Sequence, residues 1–151
     1  MYFRYLAVAC LLTAAAVVGA GCDESLRNIA GPTPELEPRL SSIQRLIFEA
    51  PDSTGRAACS GCHTSVNRIP AAGLNLVGAS AHASLVGVRS TGKAGATRVI
   101  PGDPDNSYLI HKIEGRSGIV GERMPRTGGP YLTEGQILII ERWIERGAPN
   151  D

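Results

Sequence analysis

An all-α fold is what this chain predicts, and three observations carry the expectation. Stretches beginning near Leu40, after Asp103 and after Thr133 place apolar residues at spacings of three and four between helix start and stop signals. The segments joining them are rich in Gly, Pro, Ser and Thr, with no confident strand and no internal repeat. Size is the third: 151 residues, 43% hydrophobic and 19% charged, give room for one modest domain and not two. The expected organisation is a signal peptide over 1–21, a flexible tether over 22–38 and a helical domain over 39–151.

Tyr5 to Gly21 carry no charge, follow a single Arg4 and are rich in Leu, Ala and Val, the composition of a secretory signal rather than of a core helix. The small residues Gly19-Ala20-Gly21 before Cys22, with Asp23-Glu24 after it, resemble a bacterial lipoprotein signal, which implies a lipid anchor on Cys22. The alternatives are ordinary cleavage near the same point, or an uncleaved anchor slightly short of the roughly 20 apolar residues a spanning helix needs. From Ser25 to Pro38 the run Gly31-Pro32-Thr33-Pro34, and then Pro38, cannot hold a helix and reads as the tether.

In the first helix Leu40, Ile43, Leu46 and Ile47 share a broad face, Ser41 or Ser42 lies near the start, and Pro51 ends it. It is read as core that stops short of the next motif and packs elsewhere. That motif is Cys59-Ser60-Gly61-Cys62-His63, the C-x-x-C-H pattern of c-type haem attachment. The two sulfurs can add to the two vinyl groups of a haem, and His63 is then held under the iron. Zinc and dithiol redox sites also use C-x-x-C. Zinc normally takes four protein ligands, however, and the other cysteines, Cys10 and Cys22, both lie near the N-terminus. A thioredoxin-like motif would be expected beside a βαβ pattern, which is not found.

Beyond His63, Thr64 to Ala81 lacks strong periodicity but offers Leu74, Leu76 and Val77 to cover a flat apolar macrocycle. A short helix is expected around His82 to Val88 and an exposed loop from Arg89 to Thr97. Asp103 as N-cap and Pro104 at the first helical position would open a helix through Tyr108, Leu109 and Ile113, closed by Gly115. Gly115 to Pro130 is loop and contains Arg123-Met124-Pro125. Thr133-x-x-Gln136 has the form of a capping box, followed by the stripe Ile137, Ile140, Trp143 and Ile144 and the stop signals Gly147 and Pro149.

With helix, C-x-x-C-H, loop, helix, Met-Pro loop and helix in that order, the chain resembles the class I cytochrome c family, its bacterial monohaem members in particular, over about Leu40 to Ala148. Cys59 to His63 is the most specific element. Met124-Pro125 before a helix with an aromatic residue is the second, and Pro101-Gly102-Asp103-Pro104 with Ser107-Tyr108-Leu109 adds to it. The resemblance implies a cytochrome c-like domain wrapped around one covalent haem c, with thioethers on Cys59 and Cys62, His63 as proximal ligand and Met124 as distal ligand. It also implies a carbonyl near a downstream proline, for which Pro70 is the candidate, accepting from His63. The chain has two methionines, and once Met1 goes with the signal Met124 is the only thioether left. His82 and His111 are the competing ligands. Arg98, before Val99-Ile100, is read either as a partner for a haem propionate or as a solvated surface arginine.

His–Met ligation suits one-electron transfer and leaves no open coordination position, so no catalytic residues are expected. The reading is an exported electron carrier on the periplasmic side of the cell envelope, anchored to the membrane by lipid at Cys22 and serving redox partner proteins there. The rivals are a haem enzyme or sensor in which Met124 is displaced, and a zinc or dithiol lipoprotein without haem. Loss of Arg4 with the signal leaves 14 basic residues against 14 acidic ones, so nucleic-acid binding through a basic field has no support.

Overall fold

The computed structural model describes residues 35–151; the expected signal peptide, its Cys22 and the tether up to residue 34 lie outside the described residues. Helix α1 (Leu40–Ile43) runs directly into a π-helical segment (Gln44–Phe48). Three more helices follow: α2 (Ser80–Leu85), α3 (Tyr108–Glu114) and α4 (Glu134–Glu145). Single 3₁₀ turns occupy Cys59–Gly61 and Ala71–Gly73. Among the described residues there are isolated β-bridges but no strands, as an all-α chain predicts.

The first helix departs from expectation in three ways. Its N-terminal amides find no serine cap. Instead Leu40 N–H donates to Asp151 Oδ1 at 2.8 Å and Ser41 N–H to Asp151 O at 3.0 Å, a carboxylate at the positive end of the helix. Ser42 Oγ donates to Glu35 O and accepts from Glu37 N–H. Leu36, within the stretch read as tether, is only 7% exposed and packs in the core cluster. Finally, the π turn, closed by Glu49 N–H to Gln44 O at 2.9 Å, is wider than an α turn. Phe48, 2% exposed, joins Ile43 and Ile47 in the core from this segment.

Helix α2 ends earlier than expected, because Val86 is extended and bridges Val99 while Gly87 turns at φ +71°. Backbone bonds from Gly87 N–H to Val99 O and from Arg98 N–H to Val88 O then lay Arg98 and Val99 against the end of α2. The start of α3 also shifts. Asp103 does not cap it; its carboxylate accepts Asn106 N–H and Nδ2–H within a turn. The fully buried Ser107 is the N-cap, and its Oγ accepts from Ile100 N–H at 2.8 Å and donates to Asp103 O at 2.7 Å, so helical backbone begins at Tyr108. Gly115 closes α3 in the left-handed region, as expected.

Helix α4 follows the sequence reading closely. Thr133 and Gln136 form the reciprocal capping box, and Ile137, Ile140, Trp143 and Ile144 are buried. This helix packs on both α1 and α3. Trp143 is fully buried with Nε1–H donating to Pro149 O at 2.9 Å; emptying such a site costs about 3–5 kcal/mol. His82 Nε2–H donates to Ala148 O at 3.0 Å and ties α2 to the C-terminal segment.

Candidate functional site

The loop Asp52 to Ala58, leading into the cysteine pair, is organised by an arginine that sequence reading passed over. Arg56 is 1% exposed. Its Nε–H donates to Asp52 Oδ2 at 3.0 Å, Nη1 to Ile47 O and Ala57 O, and Nη2 to Ala50 O. One guanidinium thus binds the end of the π segment to the loop that carries Cys59. Contrary to expectation, then, the first helix does not pack away from the motif: Cys59 Sγ lies 3.6 Å from Ile47 O and 3.9 Å from Arg56 Nη1. Burial pushes the Cys59 thiol up, while the Arg56 charge and hydrogen bond oppose it. The sequence signal for Arg56 was slight, an arginine among small residues with an aspartate four places earlier.

Cys59 to His63 form a tight turn, with both Cys62 N–H and His63 N–H donating to Cys59 O. The ring of His63 is fixed by Nδ1 at 3.1 Å from Ala71 O, the residue after Pro70. A carbonyl only accepts, so Nδ1 carries the proton and Nε2 is the nitrogen left for a metal. Burial holds the His63 pKa below its ordinary value; the hydrogen bonds to the backbone at Ala71 and Leu74 pull the other way, and the Arg98 charge adds to the lowering. Ala72 lies at φ 53°, ψ 26°, a conformation that L residues reach at a cost of about 1–2 kcal/mol. Its carbonyl accepts from Thr91 Oγ1 at 2.7 Å and from Arg98 Nη2 at 2.8 Å. Arg98 Nη1 donates to Ser84 O at 2.7 Å. Arg98 is therefore no solvated surface arginine; both terminal nitrogens are committed to backbone carbonyls.

Met124 approaches from a different segment. Its N–H donates to Lys112 O at 2.8 Å, and Arg123 Nε–H donates to Ile113 O at 2.8 Å, so the loop hangs from carbonyls at the end of α3 that the helix itself cannot use. Lys112 Nζ reaches back to Val120 O and Glu122 O, and Val120 N–H donates to the Tyr108 hydroxyl oxygen. The Arg123 guanidinium lies over the Tyr131 ring, 4.1 Å from its centroid. Gly115 makes room for this arrangement: a Cβ there would stand 2.9 Å from Arg123 Cδ.

These segments enclose a cavity of about 210 Å³. Of the four residues singled out from sequence, Cys59, His63 and Met124 line it; Cys62 is exposed and does not. The walls are aliphatic and aromatic, with Ile47, Phe48, Leu74, Leu76, Leu85, Leu109, Ile113, Leu132 and Ile140 among them, and Arg98 and Lys112 supply the charges. Neither His82 nor His111 is part of the lining; each is bound to a backbone carbonyl, of Ala148 and Asp105 respectively. Among the described residues no three or more His, Cys, Asp or Glu side chains gather as they would about a metal ion held by protein alone. An imidazole with its Nδ1 already occupied, a thioether and a free thiol on an apolar cavity are a donor set that fits a haem. No helix of the described residues is long and apolar enough to cross a membrane.

Residues 59–128 match a family model described as Planctomycete cytochrome C. The match begins at Cys59 and takes in His63, Arg98 and Met124. The match supports a likeness to cytochrome c-like proteins over that part of the chain. No curated protein and no solved structure matches the chain.

Proposed function

We propose that this protein is an exported one-electron carrier with a single covalent haem c, bound through Cys59 and Cys62 and ligated by His63 and Met124. The observation that carries the reading is that His63 and Met124, 61 positions apart in sequence, line one apolar cavity while the competing histidines do not. When bound, the haem supplies a one-electron iron couple whose potential is raised by a methionine ligand. The chain does the rest. The aliphatic walls exclude water, the Ala71 carbonyl holds the His63 ring and its proton at Nδ1, and the α3 carbonyls hold the Met124 loop.

Exposure of Cys62 supports a cofactor edge open to the surface, and Val66 and Ile69, 60% and 89% exposed, lie on the same stretch. Apolar residues at such an edge suit brief docking of redox partners, and a formally neutral mature chain favours neither sign of partner. The composition of residues 5–24 supports export and a lipid anchor at Cys22 on the periplasmic side of the envelope. A Cys22→Ser variant that is released into the soluble fraction is the expected result for that anchor; retention in the membrane after alkaline washing speaks against it.

A pyridine haemochrome assay, together with an intact mass heavier than the mature chain by one haem, tests attachment. Met124→Ala is then expected to change the visible spectrum, lower the midpoint potential and admit carbon monoxide to the reduced protein. An unchanged spectrum and potential in that variant would remove Met124 from the ligand set, and rapid carbon monoxide binding by the parent protein would favour a haem enzyme or sensor.

A further inference from the structure

The Ala71–Ala72 turn offers two consecutive carbonyls to side chains from elsewhere in the fold. Ala71 O takes the His63 Nδ1 proton, and it also accepts Leu74 N–H at 3.1 Å. The next carbonyl, Ala72 O, is gripped by Thr91 and Arg98, from a loop and a bridge segment distant in sequence. Ala72 stands at a positive φ that favours glycine, so the turn needs outside support to persist. Arg98 gives that support firmly: it is 8% exposed, and its other terminal nitrogen is anchored to Ser84 O on α2.

We propose that Arg98 and Thr91 are positioning residues for His63, clamping the Ala72 carbonyl so that the preceding carbonyl meets the Nδ1 proton. This rests on the haem reading above. The Ala71 hydrogen bond draws the Nδ1 proton toward oxygen and makes the imidazole a stronger electron donor, which favours oxidised iron. Loosening the clamp weakens that bond and favours reduced iron. Residues that hold the carbonyl next to the one His63 bonds thus set part of the potential through the backbone of this turn.

The test uses the holoprotein with Thr91→Val, Arg98→Lys and the double substitution. Thr91 is exposed, and valine removes only its hydroxyl, so folding is retained. Each single substitution is expected to shift the reduced-to-oxidised ratio at fixed ambient potential toward the reduced form by about threefold, a small effect beside the roughly 10–100-fold in metal affinity or activity that loss of a direct outer-shell partner costs. The His63 Nδ1 proton, followed by NMR, should exchange with solvent faster. Arg89→Lys is the control, because Arg89 bonds only Gly95 O on the same loop and should leave both readouts unchanged. Unchanged potential and exchange in Thr91→Val and Arg98→Lys holoproteins would overturn the clamp, as would an equal shift in Arg89→Lys. If the purified chain carries no haem, the functional reading fails separately. The clamp is then judged on His63 Nδ1–H exchange alone: faster exchange in Thr91→Val sustains it, and equal exchange removes it.

Discussion

On the His63 side of the cavity the backbone is fixed by two buried arginines, Arg56 and Arg98, whose guanidinium groups together reach Asp52 and five backbone carbonyls. On the Met124 side it hangs from two carbonyls at the end of one short helix, through Met124 N–H and Arg123 Nε–H, and its other ties, from Lys112 Nζ to Val120 O and Glu122 O and from Val120 N–H to the Tyr108 hydroxyl, involve no buried charge. The residues between Gly115 and Met124 are half-buried or exposed. Charge-assisted bonds away from water are stronger than neutral ones and costly to leave unmade. Local opening is drawn from regions with few buried contacts and exposed hydrogen bonds. The comparison therefore assigns the rigid attachment to the histidine side and the softer, displaceable contact to the methionine side.

The largest expected effect breaks the rigid side. Arg56→Ala strands the Asp52 carboxylate and the Ile47 and Ala50 carbonyls, and removing one partner of a buried ion pair typically costs 3–5 kcal/mol. Denaturant unfolding of the haem-free chain should show a loss of about that size, and the yield of covalently haem-bound protein should fall with it. A loss below about 1 kcal/mol would place Arg56 among ordinary surface pairs and erase the asymmetry between the two sides.

A smaller effect is expected from breaking the soft side. In Gly115→Ala the new residue must hold φ near +76°, at a cost of about 1–2 kcal/mol, and its Cβ displaces Arg123 from Ile113 O. Stability should drop by roughly 2 kcal/mol, and carbon monoxide should bind the reduced holoprotein faster than it binds the parent. A variant equally destabilised but with unaltered carbon monoxide binding would show that the Met124 loop does not depend on the α3 terminus.

The same contrast explains what the sequence disclosed. Helix α4 was legible because its capping box and apolar stripe are local: Thr133 meets Gln136 three residues away, and Ile137, Ile140 and Ile144 follow helical spacing. Cys59 to His63 was legible because the chemistry itself fixes the spacing. The Met124 assignment came from the resemblance and from counting methionines, and its neighbourhood with His63 is tertiary. What escaped was set by contacts between distant segments. Phe48 is buried from within a π turn, Ser107 rather than Asp103 takes the N-cap position with its hydroxyl engaged by Ile100 N–H and Asp103 O, and Asp151 does the work expected of a serine at α1. Arg56 drew no reading, and Arg98 stood between a propionate partner and a solvated charge, because composition cannot show which backbone carbonyls lack partners.

The smallest expected effect sharpens the comparison through pH. Burial pushes the Asp52 carboxyl up, but hydrogen bonds from Thr54 and Arg56 outweigh it and hold the pKa below the ordinary carboxylate value. A carboxylate whose folded pKa lies below its unfolded value, about 3.9, contributes its full stabilisation above that value and loses it as pH falls through the folded pKa. Acid should therefore loosen the Arg56 side specifically. Asp52→Asn removes the titration but keeps an acceptor for Arg56, so the fall in unfolding free energy as pH drops below about 4 should be shallower in the variant than in the parent. The carbon monoxide binding rate, which reads the Met124 loop, should respond alike to acid in both proteins. Equal pH slopes for stability would mean that Asp52 and Arg56 hold the loop by shape alone; a change confined to carbon monoxide binding would mean that the two sides of the cavity are coupled through the core between them.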